Sequence, residues 1–72
     1  MIERVTMQSS TIAAITYDSD TEILVVEFIK NNSVYQYLNI SQHTFDEFKN
    51  SSSPGRFLDS QIKGQHPYEK IG

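Results

Sequence analysis

Hydrophobic and polar positions alternate over residues 22–40, EILVVEFIKNNSVYQYLNI, and the rest of the chain is read around that alternation. Residues 23–29 and 34–40 are rich in β-branched and aromatic side chains, which suit a pleated, half-buried surface. Lys30, Asn31, Asn32 and Ser33 separate them. Asparagine tolerates positive φ, so Asn31 and Asn32 are expected to form the central pair of a tight two-residue turn. That loop would set Phe28 against Tyr35, Val26 against Tyr37 and Leu24 against Asn39. The pattern fixes the register, because a one-residue slip would send every side chain to the other face. Leu24, Val26, Phe28, Tyr35 and Tyr37 then form the core face. The other face carries Ile23, Val25, Ile29, Leu38 and Ile40, broken by Glu27 and Gln36. It is more apolar than the solvent side of a small antiparallel sheet needs to be, so a second covering is expected there.

The flanks extend the same reading. Residues 11–17 are apolar enough for a strand, with Ile12, Ala14 and Thr16 on one side and Ala13, Ile15 and Tyr17 on the other. Asp18, Ser19, Asp20 and Thr21 form a turn, where short polar side chains bond nearby amides. Thr44 and Glu47 have the spacing of a capping box, which predicts a helix over about residues 44–50, with Phe45 and Phe48 on one face. Ser53 followed by Pro54 predicts a second helix over about 54–63, ending at Gly64 and burying Phe57, Leu58 and Ile62. The fold class is therefore α+β. A three-stranded antiparallel β-meander, with room for a short extra edge strand, is followed by two short α-helices packed on one face. The chain is a single domain over residues 1–72, with its core over about 9–71 and its ends loosely ordered.

Size and charge narrow the function classes. A chain of 72 residues buries a modest core, and with no cysteine it has neither a disulfide nor a thiolate metal site. His43 and His66 fit no common metal spacing, and no metal or cofactor is expected. Self-association is the remaining source of stability, so a homo-oligomer is expected. A net charge of −3 argues against binding nucleic acid through bulk electrostatics. No apolar run is long enough to span a bilayer, and no signal peptide is apparent. The expected setting is the cytoplasm of a prokaryote, or of one infected by its virus.

The order Ser9-Ser10, Ile15-x-Tyr17-Asp18, Leu24-x-Val26-x-Phe28, Tyr35-x-Tyr37, Ser53-x-Gly55-x-Phe57, Ile62 and Tyr68 resembles the KTSC domain. That family is named for a module at the C-terminus of some lysyl-tRNA synthetases, and a central Tyr-x-Tyr is its hallmark. The resemblance runs from about residue 9 to residue 71. It departs from the family where Asn32 replaces a usual glycine and Ser41 a frequent proline. It implies the fold just described and, by context, an RNA-binding role, although the family has no settled activity.

Two sets of residues carry the candidate chemistry. Ser53, Gly55, Arg56 and Lys63 combine the free amides of a helix N-terminus with positive charge, an arrangement suited to an anion. Tyr35 and Tyr37 could serve as an aromatic platform for bases, although pairing with Val26 and Phe28 makes them core residues first. No catalytic set stands out: Asp18 and Asp20 are explained by a turn, and Asp46 and Glu47 by a helix start. The leading expectation is a non-enzymatic binding module for RNA or a phosphate-bearing nucleotide. The alternatives are a protein-interaction module that uses Ile23, Val25, Ile29, Leu38 and Ile40, and a nucleotide-sequestering viral protein.

Overall fold

A computed structural model describes residues 1–72. Its sheet has five strands, not three, in the order β1 (Ile2–Thr6), β2 (Ile12–Asp18), β3 (Ile23–Phe28), β4 (Val34–Tyr37) and β5 (Tyr68–Lys70). Every neighbouring pair is antiparallel. The extra strands come from both ends: the lead-in, expected to be loosely ordered, pairs with β2 as β1, and the tail, inside the expected core, returns after the helices to pair with β4 as β5.

The central hairpin keeps its predicted faces but not its predicted register. Leu24 lies opposite Tyr37 and Val26 opposite Tyr35, a slip of two residues from the expected pairing. The Phe28 amide donates to the Ser33 carbonyl at 2.8 Å, closing a four-residue connection of residues 29–32. Lys30–Asn32 forms a 3-10 turn there, with Asn31 and Asn32 at φ 65° and 51°. The asparagines do take the left-handed backbone expected of them. The loop is longer because Ile29 and Lys30 also leave the strand. An even slip preserves side-chain alternation, so Leu24, Val26 and Tyr37 are buried in the core, with Phe28 and Tyr35 packed against it.

Strict alternation fails on β2. The pairing shifts between Ile12 and Ala14, and a bulge of this kind places an extra residue in one strand. Ile12, Ile15 and Tyr17 are consequently all core residues, whereas alternation had put Ile12 on the opposite side from the other two.

Ile40 was assigned to the open face and is instead completely buried. Asn39 at φ 61° turns the chain out of β4, ending the alternation before Ile40 is reached. The Ile40 amide donates to the Glu22 carbonyl at 2.9 Å, and the Tyr17 hydroxyl donates to the Ile40 carbonyl. The remaining residues of the expected apolar face are scattered. Ile23 and Val25 are half-buried on the open side of β3, Ile29 is exposed in the connection, and Leu38 lies beyond β4 with its amide bonded to the Pro67 carbonyl. An Arg4–Glu27 ion pair of 3.3 Å crosses β2 on that side.

Helix α1 (Gln42–Lys49) begins two residues earlier than predicted. Ser41 is its cap, accepting from the Thr44 amide at 3.2 Å, so Thr44 lies inside the helix. Phe45 and Phe48 are fully buried, each worth roughly 2–3 kcal/mol of apolar burial. Phe45 stacks on Tyr17 with ring centroids 4.5 Å apart. The Lys49 ammonium reaches the Glu3 carboxylate at 3.1 Å, tying α1 over β1. After it, α2 (Pro54–Phe57) runs directly into a π-helical turn, Leu58–Ile62. Phe57 stacks on Phe48 at 5.4 Å, and Leu58 and Ile62 are buried beneath. Gly64 at φ 84° then releases the chain toward β5. Both helical segments cover the same face of the sheet, as predicted.

Candidate functional site

The first helix is tied to β2 through the Phe45–Tyr17 stack and to β1 through the Lys49–Glu3 ion pair. At the other side of the same face lies a groove of about 560 Å3, lined by ten residues. Phe28, Tyr35, Tyr37 and Tyr68 supply its aromatic surface, Lys30 and Lys63 its charge, and Ser10, Thr11, Asn31 and Ser33 its polar rim.

Local structure explains why these side chains meet. Tyr35 and Tyr37 are two apart on β4, so both project from one face. Antiparallel pairing puts Tyr68 beside Tyr37 and Lys70 beside Tyr35. Phe28 ends β3 and meets Tyr35 edge-on at 5.7 Å and 89°. Tyr68 lies 6.0 Å from Tyr35 and 5.9 Å from Tyr37, with tilts of 40° and 34°. The connection before β2 and the one after β3 lie at the same end of the sheet. They are joined by the Ile29 amide donating to the Thr11 carbonyl at 2.9 Å. That bond brings Ser10 and Thr11 alongside Lys30 and Asn31. Lys63 arrives from the end of the π-helical turn, where its amide donates to the Leu58 carbonyl at 2.7 Å.

The rings form a gradient of burial. Tyr37 is 3% exposed, Tyr35 is half-buried, and Tyr68 is 60% exposed. Burial raises the Tyr37 phenol above its ordinary value, and the neighbouring Tyr35, Tyr68 and Asp59 push it the same way. No carboxylate or imidazole lines the groove, and its two ionised groups are both cations.

The two predicted sets are thus partly merged and partly separated. Tyr35, Tyr37 and Lys63 share the groove wall. Gly55 lies close to it: a Cβ added there would sit 3.6 Å from the Thr11 hydroxyl. Ser53 occupies the cap position of α2 without a side-chain cap bond, and Arg56 is exposed; neither lines the groove. Sequence reading named as site residues neither Lys30, which sits in a turn, nor Tyr68, which is distant in the chain and entered only through the family resemblance. The Tyr68-x-Lys70 alternation in the tail was the available signal for the latter.

Comparison with known proteins places this fold. The KTSC domain family profile matches residues 8–68. The chain is similar to an uncharacterized protein of Stutzerimonas stutzeri, 31% identical over 65 residues and 90% of each sequence. It is also similar to the crystal structure of a KTSC domain protein from Yersinia pestis. There the identity is 36%, both chains are covered completely, and the TM-score is 0.91.

Proposed function

The chain belongs to the KTSC domain family, and on that premise we propose that it is a non-enzymatic binding module whose groove takes RNA or a phosphate-bearing nucleotide. One observation carries the reading: in a chain of net charge −3, this concave surface is aromatic and bears only positive charge. Aromatic faces stack on bases with little regard to sequence, and lysines neutralise the adjoining phosphate. The Ser10, Thr11, Asn31 and Ser33 side chains can exchange hydrogen bonds with sugar or base edges.

Fluorescence polarisation with short single-stranded RNAs at low salt tests the reading. Lys63→Ala and Lys30→Ala should each weaken binding by about ten-fold, the size expected for a charge-assisted phosphate contact. Arg56→Ala, off the groove wall, should change it little. An Arg56→Ala loss equal to that of Lys63→Ala would move the anion site to the start of α2. Absence of binding at low salt would refute the reading altogether.

A further inference from the structure

We infer that the groove is a site for one nucleotide unit, a single base with its adjoining phosphates, and that Tyr68 is the residue on which the base stacks. The inference rests on the reading above and adds the size of the ligand and its anchor.

Ring spacing sets the first limit. A base slipped between two rings needs two stacking distances, about 7 Å in all. The Tyr35–Tyr68 and Tyr37–Tyr68 centroids are 6.0 and 5.9 Å apart, and the rings are tilted rather than parallel. No slot for an intercalated base exists between them. Tyr37 is buried and Tyr35 half-buried, so Tyr68, 60% exposed, is the ring with a free face. One free face accommodates one stacked base.

Charge sets the second limit. Lys30 and Lys63 line the groove, and Lys70 projects from the same side of the sheet on β5. Elsewhere the chain carries more carboxylates than cations, giving the net −3. A strand running beyond the groove would leave these lysines for a surface that repels it. The groove's 560 Å3 lies within the usual size of a small-molecule site, about 300–1,000 Å3.

Calorimetric titration of the full chain with adenosine 5′-monophosphate, a 5′-phosphorylated diadenylate and a decaadenylate, each at several salt concentrations, tests this. Affinity per binding position should vary by no more than about three-fold between the diadenylate and the decaadenylate, a difference of well under one contact, with the monophosphate, which lacks the second phosphate, within about ten-fold of both. For the decaadenylate, the slope of log affinity against log salt should lie between about −1.4 and −2.1, for two or three phosphates at roughly −0.7 each. Tyr68→Ala should weaken all three probes by about ten-fold, while Tyr68→Phe should hold them near the wild-type value, since stacking needs the ring and not the hydroxyl. A decaadenylate bound about 100-fold tighter per position than the monophosphate, or a slope beyond about −4, would overturn the single-unit site in favour of a strand track. Wild-type affinity in Tyr68→Ala would overturn the anchor. Failure of every probe to bind overturns the groove reading itself, so the two levels fail differently.

Discussion

Replacing Tyr17 by phenylalanine isolates a single buried hydrogen bond. Tyr17 is 2% exposed, and its ring stacks on Phe45 at 4.5 Å and 15°. Phenylalanine keeps that ring, its apolar burial and the stack, and removes only the hydroxyl that donates to the Ile40 carbonyl. Ile40 is fully buried, so the carbonyl would be left without its donor in a dry site. A lost hydrogen bond of this kind, with the orphaned acceptor included, costs about 2 kcal/mol. For a domain of this size each kcal/mol lowers the melting temperature by about 4–8 °C, so Tyr17→Phe should melt roughly 8–16 °C below wild type. Urea denaturation should show a lower midpoint at an unchanged slope. A destabilisation under about 0.5 kcal/mol, the range of an ordinary surface substitution, would refute the assignment of this bond to the core.

Alkaline pH supplies an independent check on the same residue. Burial raises the Tyr17 phenol above its ordinary value of about 10, and Glu22, Asp46 and Asp18 add to the effect. A phenol whose folded value is raised is harder to ionise in the folded state than in the unfolded chain. The stability it contributes is therefore complete below the unfolded value and lost as pH climbs through the raised one. Wild type should weaken above about pH 10. The gap between wild type and Tyr17→Phe should narrow over that window, because phenylalanine has nothing to ionise there. A gap that stays constant through strongly alkaline pH would contradict the burial argument.

Two further stability predictions follow from single residues. Phe45→Ala removes a fully buried ring that stacks on Tyr17, at a cost of about 3–5 kcal/mol. That rivals the total stability of a small domain, so far- and near-ultraviolet circular dichroism should show a largely unfolded chain at 37 °C, roughly physiological temperature; a native spectrum would contradict the burial of this ring. Glu22→Gly should raise the melting temperature, because Glu22 is held at φ 57° without asparagine's tolerance for that geometry, and glycine relieves up to about 1 kcal/mol there. A fall on thermal melting would place the larger effect in the unfolded chain's added freedom.

Much of the sheet was legible because strand periodicity is local. The two strands around Asn31 and Asn32 and the faces they present could be read from alternation alone, as could the two positive-φ asparagines. The loop length could not. Two- and four-residue connections are both even, so they preserve the same faces, and only tertiary contacts such as Ile29 to Thr11 decide between them. The β2 bulge was hidden because Ala13 and Ala14 are too small to betray which face each occupies. Ile40 was misplaced because nothing in Leu38, Asn39 and Ile40 announces that the strand stops at Tyr37. Serine at 41 and threonine at 44 are both competent caps, and the capping-box spacing of Thr44 and Glu47 favoured the wrong one. The groove was half legible for a related reason. Tyr35 and Tyr37 declare themselves as a pair, whereas Tyr68 joins them only through a strand that forms after the helices have turned the chain around.

That late strand explains why the aromatic surface is both structural and accessible. The core needs the inner ring: Tyr37 is buried beside Leu24, whereas Tyr68 on the three-residue edge strand is mostly exposed. A sheet built for stability alone would close this end with leucine or phenylalanine, because each phenol hydroxyl carries a desolvation cost that the apolar ring does not. Tyrosine is suited to a site with one dry side and one wet side. Here Tyr68 lies within 6.0 Å of both Tyr35 and Tyr37, and the three tyrosines span that boundary from floor to mouth, with lysines and no carboxylate along the rim. Packing accounts for Tyr37 and for much of Tyr35. It does not account for the ring of Tyr68 held open beside two cations, and that is the feature a flat, charged ligand would use.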